Sequence, residues 1–248
     1  MKKSIALILF VLMLAGCSRK DTIIPETTAP VTEETVQETT VVETTLPETL
    51  PTEPEILPTI PPEPESDDVF VRVLDYIPTA SQELMYGTDQ NFTGQVIYDF
   101  EDAYLRWGTV KKLQLVSEDL AQMGLYLKIW DGFRPVSAQF TLWEVCPNPT
   151  YVANPTTGYS SHSRGNTIDL TLVDENGQEL EMPTLFDDFS AKADRNYSDC
   201  TEAAANNAQL LEILMEKHGF TGYAGEWWHF SDTVSYPVET VFDPSGVF

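Results

Sequence analysis

The chain has 248 residues, 42% of them hydrophobic and 11% aromatic, and carries a formal net charge of −25. That is enough apolar material for one domain with appendages, and the acidity argues against nucleic-acid binding and against electrostatic adsorption to anionic lipid. Three cysteines, Cys17, Cys146 and Cys200, are too few for a disulfide scaffold and wrongly spaced for a structural zinc knuckle.

Met1-Lys2-Lys3 is a short basic start to the apolar run Ile5–Leu14, too short for a stable bilayer-spanning helix and suited to the core of a signal peptide. The run ends in Leu14-Ala15-Gly16-Cys17, which resembles the lipobox of bacterial lipoproteins. That resemblance implies cleavage before Cys17 and acylation of its thiol and new amino terminus. The mature protein would then be held on the bilayer by its lipid chains, outside the cytoplasm. Residues 18–68 are dominated by Thr, Glu and Pro. Prolines interrupt any helix, like charges repel, and the scattered Val and Leu show no amphipathic period. A disordered, extended tether is expected, leading to a folded domain over residues 69–248.

Val69–Leu74 alternates and is rich in β-branched residues, which predicts a first strand. Tyr86–Gly94 is turn-rich, with a short strand expected at Val96–Tyr98. Thr109–Met123 reads as a helix, with Val110, Leu113, Val116, Leu120 and Met123 on one face and Gly124 to end it. Leu125, Leu127 and Ile129 then alternate with Tyr126 and Lys128, a strand that delivers Trp130-Asp131-Gly132-Phe133-Arg134-Pro135 at its end. Pro135 can start a helix over Val136–Val145. After a proline-rich loop, Ile168, Leu170 and Leu172 point one way and Asp169 and Thr171 the other, as on a strand. Asn176-Gly177 signals a hairpin turn returning a strand through Glu179–Met182. Glu202–Lys217 is a second long helix, and His218 at its end is placed to meet terminal carbonyls. Phe220–Tyr223 and Trp227–Phe230 complete the sheet. The order describes an α+β domain with helices packed on a mainly antiparallel sheet. Cys146 and Cys200 could pair in an oxidising compartment if their Cα atoms lie within about 7 Å.

Within this frame, His162 and Asp169 stand seven positions apart across a glycine turn, and Glu226-Trp227-Trp228-His229 supplies a second imidazole and carboxylate. A hydrolytic zinc ion needs three protein ligands and an open fourth position, which His162, Asp169 and His229 could provide, with Glu226 as proton carrier. On an extended chain, positions three apart face opposite sides, so the segment from Glu226 to His229 must bend for both to reach one metal. Arg134, held between Phe133 and Pro135, could stabilise an oxyanion in a dry site. Spacing alone leaves simpler roles open. Each histidine could be a hydrogen-bonded core residue, Asp169 a turn cap, Glu226 an exposed acid and Arg134 a salt-bridge partner.

The motifs together resemble those of the VanX-type D-alanyl-D-alanine dipeptidases. Ser160-Ser161-His162-Ser163-Arg164-Gly165 with Ile168-Asp169-Leu170-Thr171-Leu172 is similar to one signature, and Glu226-Trp227-Trp228-His229 to a second. Trp130 to Pro135 resembles a third, with phenylalanine for tyrosine at Phe133, and Asn91-Phe92-Thr93-Gly94 a fourth. The resemblance covers residues 69–248. It implies one zinc ion per chain on His162, Asp169 and His229, Glu226 as general acid/base, Arg134 as transition-state arginine, and Ser160 and Asp187 as dipeptide-binding residues, with Asp188 adjoining the last. It also implies the small α+β zinc-peptidase fold shared with VanY-type D,D-carboxypeptidases and Hedgehog domains. The expected reaction is hydrolysis of D-Ala-D-Ala. A carboxypeptidase acting on wall stem peptides and a non-catalytic wall-binding lipoprotein are the alternatives. The first accepts an acylated amine, and the second would be expected to lack the glutamate that is present at Glu226. Thr167 stands where the wider superfamily has alanine, and the exported start departs from the cytoplasmic VanX enzymes.

Overall fold

The computed structural model describes residues 60–247. The signal-like start, Cys17 and the tether as far as residue 59 lie outside the described residues.

Seven consecutive residues with no exposed surface to spare, Thr167–Val173, form the strand at the middle of the fold. In chain order the strands are β1 (Phe70–Arg72), β2 (Ser81–Gln82), β3 (Tyr104–Arg106), β4 (Tyr126–Asp131), β5 (Thr167–Val173), β6 (Phe220–Tyr223) and β7 (Glu226–Asp232). The helices are α1 (Val73–Tyr76), α2 (Trp107–Ala121), α3 (Val136–Val145) and α4 (Glu202–Lys217). The main sheet has the order β2-β4-β5-β7-β6, and all its pairs are antiparallel except β2 with β4. β1 and β3 form a separate antiparallel pair. The α+β architecture with a mainly antiparallel sheet is the one expected.

The two long helices follow their apolar periodicity. Val110, Leu113, Val116 and Leu120 of α2 and Leu211 and Met215 of α4 are buried against the sheet. Burying each such side chain contributes about 1.5–3 kcal/mol. The first free N–H groups of α2 are satisfied by the chain that precedes β1: Trp107 N–H donates to Val69 O (2.8 Å) and Gly108 N–H to Asp67 O (3.1 Å). α4 is capped by Thr201, whose Oγ1 accepts from Ala204 N–H at 3.1 Å.

Several local expectations are corrected. The strand expected over Val69–Leu74 stops at Arg72 and turns into α1, because Val71, Val73, Tyr76 and Ile77 bury a pattern that a short helix satisfies as well as a strand. Val96–Tyr98 forms no strand, its backbone N–H groups at Ile97 and Tyr98 converging on Tyr86 O. Helix α2 begins two residues early and ends at Ala121, leaving Met123 exposed. The Asn176-Gly177 turn forms, yet the returning chain makes only the single bridge Val173–Glu179, flanked by Asp174 N–H to Gln178 O and Leu180 N–H to Leu172 O. The His218 backbone N–H meets Leu214 O and Met215 O of its own helix, while its ring reaches Asp119 Oδ2 on α2 at 2.6 Å and so ties α4 to α2. Cys146 and Cys200 are free thiols.

Candidate active site

Strand register alone puts a carboxylate beside an imidazole. β5 and β7 pair with Asp169 opposite His229, and His229 Nδ1 lies 3.0 Å from Asp169 Oδ1. His162 arrives on the tight turn Ser161–Arg164, which Ser160 opens by accepting His162 N–H on its Oγ at 3.3 Å. Gly165 closes the turn in the left-handed region (φ 73°), and a Cβ there would lie 2.3 Å from the Phe70 ring. Both the backbone angle and the space demand glycine. The turn sets His162 Nε2 3.4 Å from Asp169 Oδ2 and 3.3 Å from His229 Nδ1.

This trio fits a cation. His162 Nδ1 lies 2.8 Å from Gly132 O, which can only accept, so the ring proton belongs on Nδ1 and Nε2 offers a lone pair to the centre. Asp169 Oδ1 is buried without a hydrogen bond; the close approach of His229 Nδ1 lacks hydrogen-bond geometry. One ligand atom from each of the three residues falls within 4.8 Å of the others. Two imidazole nitrogens and a carboxylate oxygen with a free side are a donor set that zinc accepts. Burial pushes the Asp169 carboxyl up, but the two imidazoles outweigh it and hold the group well below the usual carboxylate range.

Glu226 reaches the same centre through the bend that its spacing from His229 requires. β6 pairs Gly222 with Phe230 and its next residue, Tyr223, with Glu226, so Trp227, Trp228 and His229 form a bulge on β7. The bulge returns Glu226 Oε2 to 3.4 Å from His229 Nδ1. Burial pushes the Glu226 carboxyl up to about 7, the His229 imidazole opposing and Asp169 and Asp187 reinforcing the rise.

Arg134 sits just past the end of β4. Its Nε donates to Asp131 Oδ2 at 2.8 Å, its Nη2 donates to the same oxygen, and Nη2 lies 3.7 Å from Asp169 Oδ2. Its guanidinium lies 4.6 Å from the centre of the Tyr86 ring. Burial disfavours the Arg134 charge, yet Asp131 more than restores it, so the group stays charged. Tyr86 in turn donates to Asp187 Oδ2 at 2.9 Å. Burial pushes the Asp187 carboxyl up to about 7 against the Tyr86 hydrogen bond. The neighbouring Asp188 instead accepts Ser190 N–H.

Arg134, Ser160, His162, Asp169, Asp187, Glu226 and His229 all line one cavity of about 270 Å³. The sequence reading missed Asp131, Tyr98 and Tyr86. Asp131 is fully enclosed, accepts Arg134 on one oxygen and Tyr98 O–H (2.9 Å) on the other, and so fixes the guanidinium. Its signal was an acid three residues before an arginine. Tyr86 is carried by the loop that Asn91 closes, donating from Nδ2 to Met85 O, Thr88 O and Gln95 O at 3.1, 2.7 and 2.8 Å. The Asn-Phe-Thr-Gly motif therefore builds one wall of the cavity.

An antiparallel-dominated α+β fold, with two imidazoles and a carboxylate that could hold a metal gathered in a cleft beside a glutamate and an arginine, defines a metallopeptidase. Residues 67–242 match the D-ala-D-ala dipeptidase family, and the chain belongs to it. Residues 1–18 match a prokaryotic membrane lipoprotein lipid attachment site. The D-alanyl-D-alanine dipeptidase of Escherichia coli is 40% identical over 164 residues, which cover 65% of this chain and 84% of that one. The D-alanyl-D-alanine dipeptidase of Enterococcus faecalis is 34% identical over 165 residues, covering 58% and 82%. A crystal structure of the vancomycin-resistance D,D-dipeptidase VanXYg with a D-Ala-D-Ala phosphinate analogue is 21% identical. It overlays with a TM-score of 0.35, covering 54% of this chain and 52% of that one.

Proposed function

We propose that this chain hydrolyses D-alanyl-D-alanine to two D-alanines, with one zinc ion held by His162, Asp169 and His229. The observation that carries the reading is the convergence of these three residues with Glu226 and Arg134 on one cavity. Zinc in that position supplies Lewis acidity toward the scissile carbonyl and an acidified water. Glu226 takes the proton of the attacking water on its carboxylate and returns it to the leaving amine. Arg134, fixed by Asp131, holds the negative charge that develops on the carbonyl oxygen. Ser160 accepts His162 N–H on Oγ, which leaves its hydroxyl proton for an acceptor on the substrate.

Asp187 favours a free dipeptide over an acylated wall peptide. Its only hydrogen-bond donor among the described residues is the neutral Tyr86 hydroxyl, so its charge is poorly compensated until a cation comes. The ammonium of free D-Ala-D-Ala is such a cation, and an N-acyl group is not. Acylation at Cys17 would hold this chemistry at the outer face of the membrane, where the dipeptide or related wall peptides would be met.

The test follows alanine release from free D-Ala-D-Ala and from its N-acetyl form. Zinc-dependent release from the free dipeptide is expected, with the acetylated one cleaved poorly and Glu226→Ala slower by about 10²–10⁴-fold. Equal cleavage of the two would make the chain a carboxypeptidase. No zinc-dependent release, or a Glu226→Ala variant as fast as its parent, would remove the enzyme reading.

A further inference from the structure

We propose that Arg195 is a positioning residue for the metal and proton-transfer groups: its guanidinium fills the bulge in β7 and holds His229 and Glu226 on the same cavity. The inference rests on the reading of His162, Asp169 and His229 as zinc ligands and Glu226 as the proton carrier.

The need for such a residue follows from the bulge. With Trp227, Trp228 and His229 looped out between pairing positions, their backbone groups lose their partners on β6, while β5 pairs with β7 only from His229 onward. Buried carbonyls left this way need donors from elsewhere. Arg195 supplies them. Its Nη2 donates to Trp227 O at 3.1 Å and to His229 O at 2.9 Å, and its Nε donates to Tyr223 O on the opposite arm at 2.9 Å. Its own backbone N–H donates to Ala224 O at 3.1 Å in the hairpin turn. One residue thus ties both arms and the tip of the β6–β7 hairpin.

The surroundings are built for a guanidinium. A Cβ on Gly222 would lie 2.3 Å from Arg195 Cζ, so the strand opposite the bulge leaves the planar group its space by having no side chain. The Phe230 ring lies 4.3 Å below the guanidinium carbon. Glu212 on α4 balances the charge at 3.5 Å, and Tyr197 bridges the two, accepting from Arg195 Nη1 and donating to Glu212 Oε2. A lysine would bring a point charge with no planar fork, and so could not reproduce the Nε and Nη2 contacts to both arms.

The consequence for the site is geometric. With the carbonyls of Trp227 and His229 drawn to one guanidinium, the backbone is set so that the His229 ring meets Asp169 and the Glu226 carboxylate returns to 3.4 Å from that ring. A slip of one residue in a strand reverses which side each side chain faces, so an unclamped bulge would take one of the two groups out of the cavity. Arg195 does not line the cavity. Its effect passes through the two carbonyls.

The test uses the full chain with Arg195→Lys, which keeps the charge opposite Glu212, and Gly222→Ala, which keeps every donor but displaces the guanidinium. Zinc affinity is measured by chelator competition, the ligand geometry by the visible spectrum of the cobalt-substituted protein, and kcat and KM with D-Ala-D-Ala. Both variants are expected to bind zinc ten- to a hundredfold more weakly, with a matching fall in kcat, an altered cobalt spectrum, and KM within about threefold of the parent. A merely structural role would lower Tm while leaving zinc affinity, the cobalt spectrum and kcat at saturating zinc unchanged; that result overturns the inference. If Arg195→Lys is isolated unfolded, Gly222→Ala decides by the same readouts. A parent chain that binds no zinc at His162, as judged against His162→Ala, would instead remove the underlying reading.

Discussion

Asp169 and Asp187 line the same cavity and Asp131 is enclosed beside Arg134, yet each carboxylate meets different compensation. Asp131 accepts from Arg134 and Tyr98, and Asp169 faces two imidazoles and is held ionised. Asp187 has only the Tyr86 hydroxyl as a hydrogen-bond donor among the described residues, and burial lifts it to about 7. The sign of its effect on stability follows from proton linkage. Between the ordinary aspartate value near 3.8 and about 7, the folded chain binds a proton at Asp187 that the unfolded chain has released, so stability falls as pH rises through that window. Asp187→Asn removes the titration. Its stability is expected to match that of the parent near pH 4 and to exceed it by roughly 1–3 kcal/mol near pH 8. Denaturant melts at both pH values measure the difference, and parallel pH profiles for the two chains would refute it. The same substitution should raise KM for free D-Ala-D-Ala by about 10–100-fold through loss of a charged partner, and leave weak cleavage of the acetylated dipeptide nearly unaltered.

At the scale of elements, the site is made where regular structure breaks. β5 and β7 supply Asp169 and His229 by register, while the other groups come from irregular backbone: the Ser161–Arg164 turn for His162, the bulge for Glu226, and the end of β4 for Arg134. The turn depends most on a single position, since Gly165 combines a positive φ with contact against Phe70. Gly165→Ala therefore adds the left-handed penalty to an overpacked ring contact, together roughly 2–4 kcal/mol, or a fall in Tm of roughly 5–10 °C. Because His162 rides on this turn, zinc affinity should fall with Tm. Gly158→Ala is the matched comparison: a Cβ there meets nothing within 4 Å, and its effect should stay within about 0.5 kcal/mol. Thermal melts with and without zinc check both substitutions. A Gly165→Ala chain with parental Tm would mean that the turn accommodates a side chain.

For the whole molecule, the sequence is most legible where one property repeats over a long stretch. α2, α3, α4 and the central strands carry enough turns or alternations to show their period, and their bounds fall within a few residues of expectation. β2 and β3, two and three residues long, have no period to read, and their existence depends on partners far along the chain. The expected ligands were legible because their motifs use side chains of distinctive chemistry. Arg195 was not, because its partners are backbone carbonyls exposed by a bulge, and carbonyls are the same in every residue. The same contrast applies to the anchor, where Ile5–Leu14 is readable from composition alone. Ten helical residues reach only about 15 Å, half the hydrocarbon thickness of a bilayer, so this run cannot hold the protein as a spanning helix. Residues 69–248 hold 26 acidic and 10 basic side chains, a balance that offers no electrostatic hold on an anionic surface. The matched lipid attachment site spans Cys17, and lipid on that residue would supply the attachment. Cys17→Ser is expected to abolish incorporation of labelled fatty acid while leaving zinc-dependent hydrolysis per mole of protein unchanged. In whole cells, protease added outside should release the parental domain. Label retained by the variant would show that another residue carries the lipid, and a domain protected from external protease would put the chemistry on the other side of the membrane.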